Sequence, residues 1–234
     1  MTWKPIWKTV TTSTLMMTTV LGVGGLSLPS WAQSSTEETD RSSTEADATF
    51  LDWLRGLAVN PDANEPPRTK RGGSEFCLVA FDVQTTTPVW NYRPDFVIQG
   101  DLRHFVLSSA DSDEPLWTSS PNESETVSYT GPPLRSGTLY TLRAENPQNA
   151  NDFEARSFTL LELEDRVEVA FDLLELENEM QTAGQSEEAI VLARADYFWQ
   201  RGLAVDAWAE VVPLQDTSEV AAAAIATAYE RICD

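Results

Sequence analysis

From Phe76 onward the hydrophobic period of this chain switches from two to 3.6 at Leu160. From Phe76 to Leu160, short runs rich in β-branched and aromatic residues alternate with turn residues. Beyond Leu160, apolar residues recur at the 3.6-residue spacing of a helix. A chain that segregates its two periods cannot build alternating βα units, so the fold class is α+β, strands first and helices after. Strands are expected near Phe76–Val83, Val89–Tyr92, Asp95–Gln99, Leu102–Ser109, Leu116–Ser119, Thr126–Thr130, Thr138–Glu145 and Ala155–Leu160. Most are separated by turn signals such as Gly100-Asp101, Ser120-Pro121-Asn122 and Gly131-Pro132-Pro133.

Within the β part, Leu134-Arg135-Ser136-Gly137-Thr138-Leu139-Tyr140 reads as a loop entering a strand whose one face carries Tyr140, Leu142 and Ala144. That Leu-x-x-Gly-Thr-x-Tyr spacing resembles the corner of an immunoglobulin or fibronectin type III domain, where a Tyr bonds back to the loop it leaves. The resemblance implies an antiparallel β-sandwich over residues 74–160.

The remainder, residues 161–234, is expected as a helical bundle. Glu162–Thr182 carries Leu163, Val167, Ala170 and Leu174 at helical spacing, flanked by Val169, Leu173, Leu176 and Met180, with acids over the outside. A second helix starts behind Ser186, a third covers Leu203–Val212 and stops at Pro213, and Asp216 with Glu219 suggests a capping box for the fourth. Ala193, Ala195, Tyr197, Phe198, Gly202, Ala207 and Val211 look like one tetratricopeptide-type helix pair, although an ordinary four-helix cap accounts for the same residues.

The N-terminus has the layout of an export signal, residues 1–32. Lys4 and Lys8 precede an apolar run from Leu15 to Leu28, and Ser30-Trp31-Ala32 supplies small-x-small before Gln33. The alternative is an uncleaved membrane anchor. Residues 33–73 read as an acidic, disordered stretch and a Pro-Gly linker with Arg68, Lys70 and Arg71, interrupted by a short amphipathic helix over Phe50–Leu57 that ends at Gly56 and docks on the body or recruits a partner. The chain carries a net charge of −21. Such a surface repels nucleic acid and anionic lipid and suits solubility, divalent cations or basic partners, although a solvated acidic surface accounts for the same charge. The export signal implies a periplasmic or secreted protein.

The two cysteines, Cys77 and Cys233, both lie after the signal. An even count in an oxidising compartment favours one disulfide between them, tying the first strand to the last helical turn; two buried free thiols are the alternative.

Arg68–Gly73 before Cys77, Arg93-Pro94-Asp95-Phe96, the Leu134–Tyr140 stretch, and Ala195-x-Tyr197-Phe198 with Leu203 and Ala207 occur in an order that resembles an uncharacterised secreted bacterial family, the domain of unknown function 928 or a close relative. The resemblance covers about residues 68–233. It implies an envelope protein with a sandwich and a helical tail, and no site.

Chemistry is sparse. The single histidine, His104, lies in an expected strand with no nucleophile elbow or Cys-His metal spacing to accompany it. Asp111, Asp113 and Glu114 gather carboxylates in a turn, short of a full calcium loop. Asn122-Glu123-Ser124 matches a glycosylation sequon. Glu164, Asp165, Glu168 and Asp172 share a helix face without the Glu-x-x-His pairs of bundle metal sites. The reading is therefore a non-enzymatic envelope module that binds a protein partner, with no cofactor and no metal. A carbohydrate- or calcium-binding module (Trp90, Trp117, Asp111) and a hydrolase using paired carboxylates are the alternatives. Whether the tryptophans are exposed, and whether a pocket holds two perturbed carboxylates, separates the three.

Overall fold

Tyr140, Leu142 and Ala144 are buried on one face of their strand, while Leu139, Thr141 and Arg143 point away from it. The strand is the central one of a five-stranded sheet. A computed structural model describes residues 49–59, 76–81, 85–100, 103–112, 114–119, 125–146 and 149–233. The chain divides into two units, residues 1–44 and 45–234, and the described residues all belong to the second. The expected signal segment, Asp113, the sequon and the Arg68–Gly73 knot lie outside the described residues.

In chain order the elements are α1 (Phe50–Val59), β1 (Phe76–Leu78), β2 (Thr87–Val89), β3 (Asp95–Gly100), β4 (His104–Ser109), β5 (Pro115–Thr118), β6 (Thr126–Ser128), β7 (Leu139–Asn146), β8 (Asn149–Leu160), α2 (Leu163–Thr182), α3 (Glu187–Gln200), α4 (Ala204–Val211) and α5 (Glu219–Cys233), with a 3-10 turn over Val212–Asp216 between the last two. The chain is therefore α+β, with its sheets followed by C-terminal helices as expected and α1 ahead of the first strand. The strands form a three-stranded sheet in the order β1-β3-β6 and a five-stranded sheet in the order β2-β8-β7-β4-β5. Aromatic side chains of the two sheets meet: Phe96 lies 5.7 Å from Phe158, and Phe76 6.1 Å from Phe105.

Several expectations are corrected. The sheets are not wholly antiparallel, because β2 runs parallel to β8, with Val89 opposite Leu160. The long connection between the two strands removes the hairpin constraint that enforces antiparallel pairing. β1 stops at Leu78, five residues early, because Ala80 takes a positive φ of 71° and turns the chain. β8 starts at Asn149, well before Ala155, because its pairing with β7 runs from Leu139↔Thr159 to Glu145↔Phe153 and, after a register shift, ends at Asn146↔Asn149.

The helix near residue 50 continues through Gly56 to Val59. It docks, with Phe50 and Leu54 fully buried and the Phe50 N–H donating to Asp196 Oδ1 at 2.8 Å. Phe50–Val59 is thus part of the helical layer, within a stretch expected as disordered segment and linker. Ser186 caps α3 as expected, its Oγ accepting from Ala189 N at 3.2 Å. α5 instead starts at Glu219 and is capped by Ser218, whose Oγ accepts from Ala221 N at 3.3 Å. Asp216 ends the 3-10 turn that starts at Val212 with Pro213 near its beginning, so it cannot hold the capping position.

The loop before β7 is fastened at both ends. The Arg135 N–H donates to Tyr140 Oη at 2.7 Å, and the Gly137 N–H donates to Leu160 O at 2.9 Å. Gly137 has φ +68°, and an added Cβ would run into the Glu162 carboxylate. That carboxylate can swing aside, so Gly137→Ala mainly incurs the left-handed backbone, about 1–2 kcal/mol. The expected outcome is a melting temperature lower by about 2–8 °C with the fold retained, read by circular dichroism.

Candidate functional site

α4 is buried nearly all round. Val205, Asp206, Ala207, Trp208 and Val211 are inaccessible, and the helix lies against β2 and β3. Asp206 is the exception to its apolar character, 5% exposed. Its Oδ2 accepts the Trp90 N–H at 2.8 Å and its Oδ1 the Asn91 N–H at 3.0 Å. These are the first residues after β2, where the sheet ladder no longer supplies acceptors. Burial pushes the Asp206 carboxyl up to about 7, against the downward pull of its backbone hydrogen bonds, and Glu210 nearby adds to the rise. Trp90 is fastened further: its Nε1 donates to Arg166 O at 3.1 Å, and Arg166 Nε donates to Trp90 O at 2.9 Å.

Trp90, Asp95, Arg194, Phe198, Asp206 and Glu210 are among the residues lining a cavity of about 270 Å³ between the strands and α3–α4. Arg194 Nη1 bonds Glu177 of α2 and its Nη2 bonds Glu210 of α4 at 2.6 Å. Burial raises the Glu210 carboxyl, the Arg194 guanidinium lowers it, and Glu177 and Asp95 raise it again. The groove thus holds two carboxylates with raised pKa values. Both oxygens of Asp206 are spent on backbone N–H groups, and Glu210 is held by Arg194. A general acid or base must reach a substrate proton, and clamped carboxylates perturb their pKa values in the same way without doing so.

The second feature is on α2. Its inner face buries Val169 and Leu173. Arg201 of α3 pairs with Glu168 at 3.0 Å and Asp172 at 2.6 Å, and Tyr197 Oη donates to Asp172 at 2.7 Å, so the acids expected on the outer face are drawn to α3. Burial raises the Tyr197 phenol, and its hydrogen bond to Asp172 raises it further. The apolar stripe is left outside: Leu163, Val167, Phe171 and Leu174 are 65%, 46%, 67% and 63% exposed. At 100° per residue these positions fall within roughly a quarter of the helix circumference. Nine large apolar side chains are exposed among the described residues, and four of them lie on this one stripe, so it is a patch and not scatter.

The other sequence-predicted residues lie apart. Trp117 is half-buried, with its Nε1 donating to Thr130 Oγ1 at 3.0 Å and its ring edge-on to Tyr129. Neither Trp90 nor Trp117 therefore lays a free indole open as a sugar platform. Asp111 and Glu114 are exposed at the β4–β5 turn, their N–H groups donating to Ser109 Oγ and Ser112 Oγ. His104 opens β4 with Nδ1 3.8 Å from Glu145 Oε2. Cys77 and Cys233 are bonded, with Cα atoms 5.6 Å apart. No described helix is long and apolar enough to cross a membrane.

Sequence reading missed Asp206, although the signal was present: a lone acid between Val205 and Ala207 in an apolar helix must find donors or go unpaired. Arg194, between Ala193 and Ala195, is a similar case. Compared with known proteins, the chain matches no family model and no curated protein.

Proposed function

We propose that this chain is an exported, non-enzymatic protein-binding module of the cell envelope, periplasmic or secreted. The observation that carries the reading is the exposed stripe of Leu163, Val167, Phe171 and Leu174 on α2. Fully burying a large apolar side chain contributes about 1.5–3 kcal/mol, and a soluble chain does not leave four together on one helix without a use for them. The β part is read as an immunoglobulin/fibronectin-III-like sandwich, supported by the aromatic contacts between its two sheets and by the Arg135–Tyr140 hydrogen bond at the corner. The helical part is read as tetratricopeptide-like hairpins, in which an end helix with an apolar outer face invites a neighbour. The resemblance to the domain of unknown function 928 fits the same placement. The Cys77–Cys233 bridge supports export, because such bonds persist in oxidising compartments.

A second reading, a hydrolase working through paired acids, draws on the raised Asp206 and Glu210 carboxyls in the groove. The clamping of both groups favours the first.

A photo-crosslinking side chain at position 171 in living cells is expected to give a defined adduct with an envelope protein, and the same group at exposed Glu188 is not. Absence of any adduct at position 171 counts against the reading. Export is expected to leave Gln33 as the first residue of the native protein, which N-terminal sequencing reads directly.

A further inference from the structure

We propose that the outer face of α2 is a docking surface for a cationic amphipathic helix of the partner, and not for a second copy of this chain. The inference rests on the protein-binding reading above and adds the chemistry of what binds.

The stripe has the spacing of a helix–helix seam. Leu163, Val167, Phe171 and Leu174 follow at steps of four, four and three residues. They extend about 17 Å along the axis at 1.5 Å per residue, the length of about three turns of a partner helix. All backbone groups in the middle of α2 are used within the helix, so an extended segment has no edge to pair with. The complement to such a face is another ridge of side chains.

The charge beside the stripe has one sign. Glu164, Glu175 and Glu179 lie along one flank, and none makes an ion pair with a described residue. Glu168 and Asp172, on the same side, share one cation, Arg201. The single basic residue of α2 is Arg166, and it is turned to Trp90 O and Ser136 Oγ. Along this surface the uncompensated charge is therefore negative. Two copies meeting here would set three unpaired carboxylates against three, between chains that each carry −21. Lysine or arginine at the flanking positions of a partner helix would meet those carboxylates while its leucine-type residues cover the stripe.

The test uses the full chain as it accumulates in cells. The first probe is a synthetic helical peptide of about 14 Leu and Lys residues with Leu at i, i+3, i+4, i+7 and i+11. The second is its counterpart with Glu for every Lys. Binding is read by fluorescence anisotropy. The cationic peptide is expected to bind at least tenfold tighter than the acidic one. Phe171→Asp is expected to weaken it at least tenfold even though the substitution adds an attractive charge. Both side chains are exposed, so unchanged circular dichroism confirms that Phe171→Asp and Leu174→Glu remain folded. The triple change Glu164→Lys, Glu175→Lys and Glu179→Lys is expected to reverse the preference between the two peptides.

Equal binding of both peptides, or binding unaffected by Phe171→Asp, overturns the proposal. So does a reversible dimer in sedimentation velocity that Leu174→Glu abolishes, which would assign the face to a second copy. An adduct at position 171 in cells without binding of the cationic peptide rejects the cationic-helix assignment and leaves the protein-binding reading standing. Failure of both rejects both.

Discussion

Replacing Cys77 with serine should lower the stability of the folded chain by about 4–5 kcal/mol, the entropy of closing a loop this long in the chain-entropy model. Cys77 and Cys233 lie 156 residues apart in sequence with Cα atoms 5.6 Å apart. The bridge joins β1 to the last turn of α5, so it fastens the start of the β part to the end of the chain. α5 is otherwise held by one face, with Ala221, Ala224, Ile225, Ala228, Tyr229 and Ile232 buried, and Tyr229 stacked 5.7 Å from Trp208. That face keeps the helix docked in the variant, while its final turns lose their tether and fray. The expected observations are a lower denaturant midpoint for Cys77→Ser, faster protease cleavage within α5, and little change in the sheet. Reductant should bring the native protein to the variant's midpoint and leave the variant unmoved. A native midpoint that does not respond to reductant would contradict the assignment.

That bridge was legible from the sequence because two cysteines, both after an expected export signal, allow a single intrachain pairing. The order of strands and helices was legible for a similar reason: period two and period 3.6 are set by backbone geometry alone. Alternation put Tyr140, Leu142 and Ala144 on one face, and that face is buried. What a single element cannot state is which neighbour it meets. α2 carries two apolar stripes, Leu163/Val167/Leu174 and Val169/Leu173/Leu176. The second stripe is the one packed inward, and beside it Arg194, Tyr197 and Arg201 of α3 meet Glu177, Glu168 and Asp172. Those contacts between helices go with that rotation, and helical periodicity contains no information about them. The parallel pairing of β2 with β8 was hidden in the same way, because it joins strands about 70 residues apart and depends on where the intervening chain returns. Asp206 lies between these cases. Its burial could be read from its apolar neighbours, but its partners, the N–H groups of Trp90 and Asn91, are 116 and 115 residues away.

Asp206→Ala should destabilise the chain by roughly 2–5 kcal/mol, since it strips the acceptor from two backbone N–H groups at the junction of strands and helices. Asp206→Asn is the more informative change. Its carbonyl can accept one N–H, but its amide presents donors to the other, so it too is destabilising at every pH. The difference lies in how that loss varies with pH. The Asp206 carboxyl is raised to about 7 in the folded chain from 3.8. Between those values the native state holds a proton that the unfolded chain has released. The native protein therefore loses stability as pH rises from about 4 to about 7, by up to about 4 kcal/mol at 1.36 kcal/mol per pH unit. Below that window the contribution is fully present, and above it the loss is complete. Glu154 is also raised by burial and keeps its own pH dependence in the variant, whereas Glu210, which adds to the rise at Asp206, is coupled to it. Subtracting the two stability profiles, measured by denaturant titration between pH 4 and pH 8, leaves Asp206 together with its coupling to Glu210. The gap between native and Asp206→Asn should be widest near pH 4 and narrow toward pH 7. A gap constant across the range would mean that the two N–H groups hold Asp206 ionised throughout, with burial the lesser force at this junction.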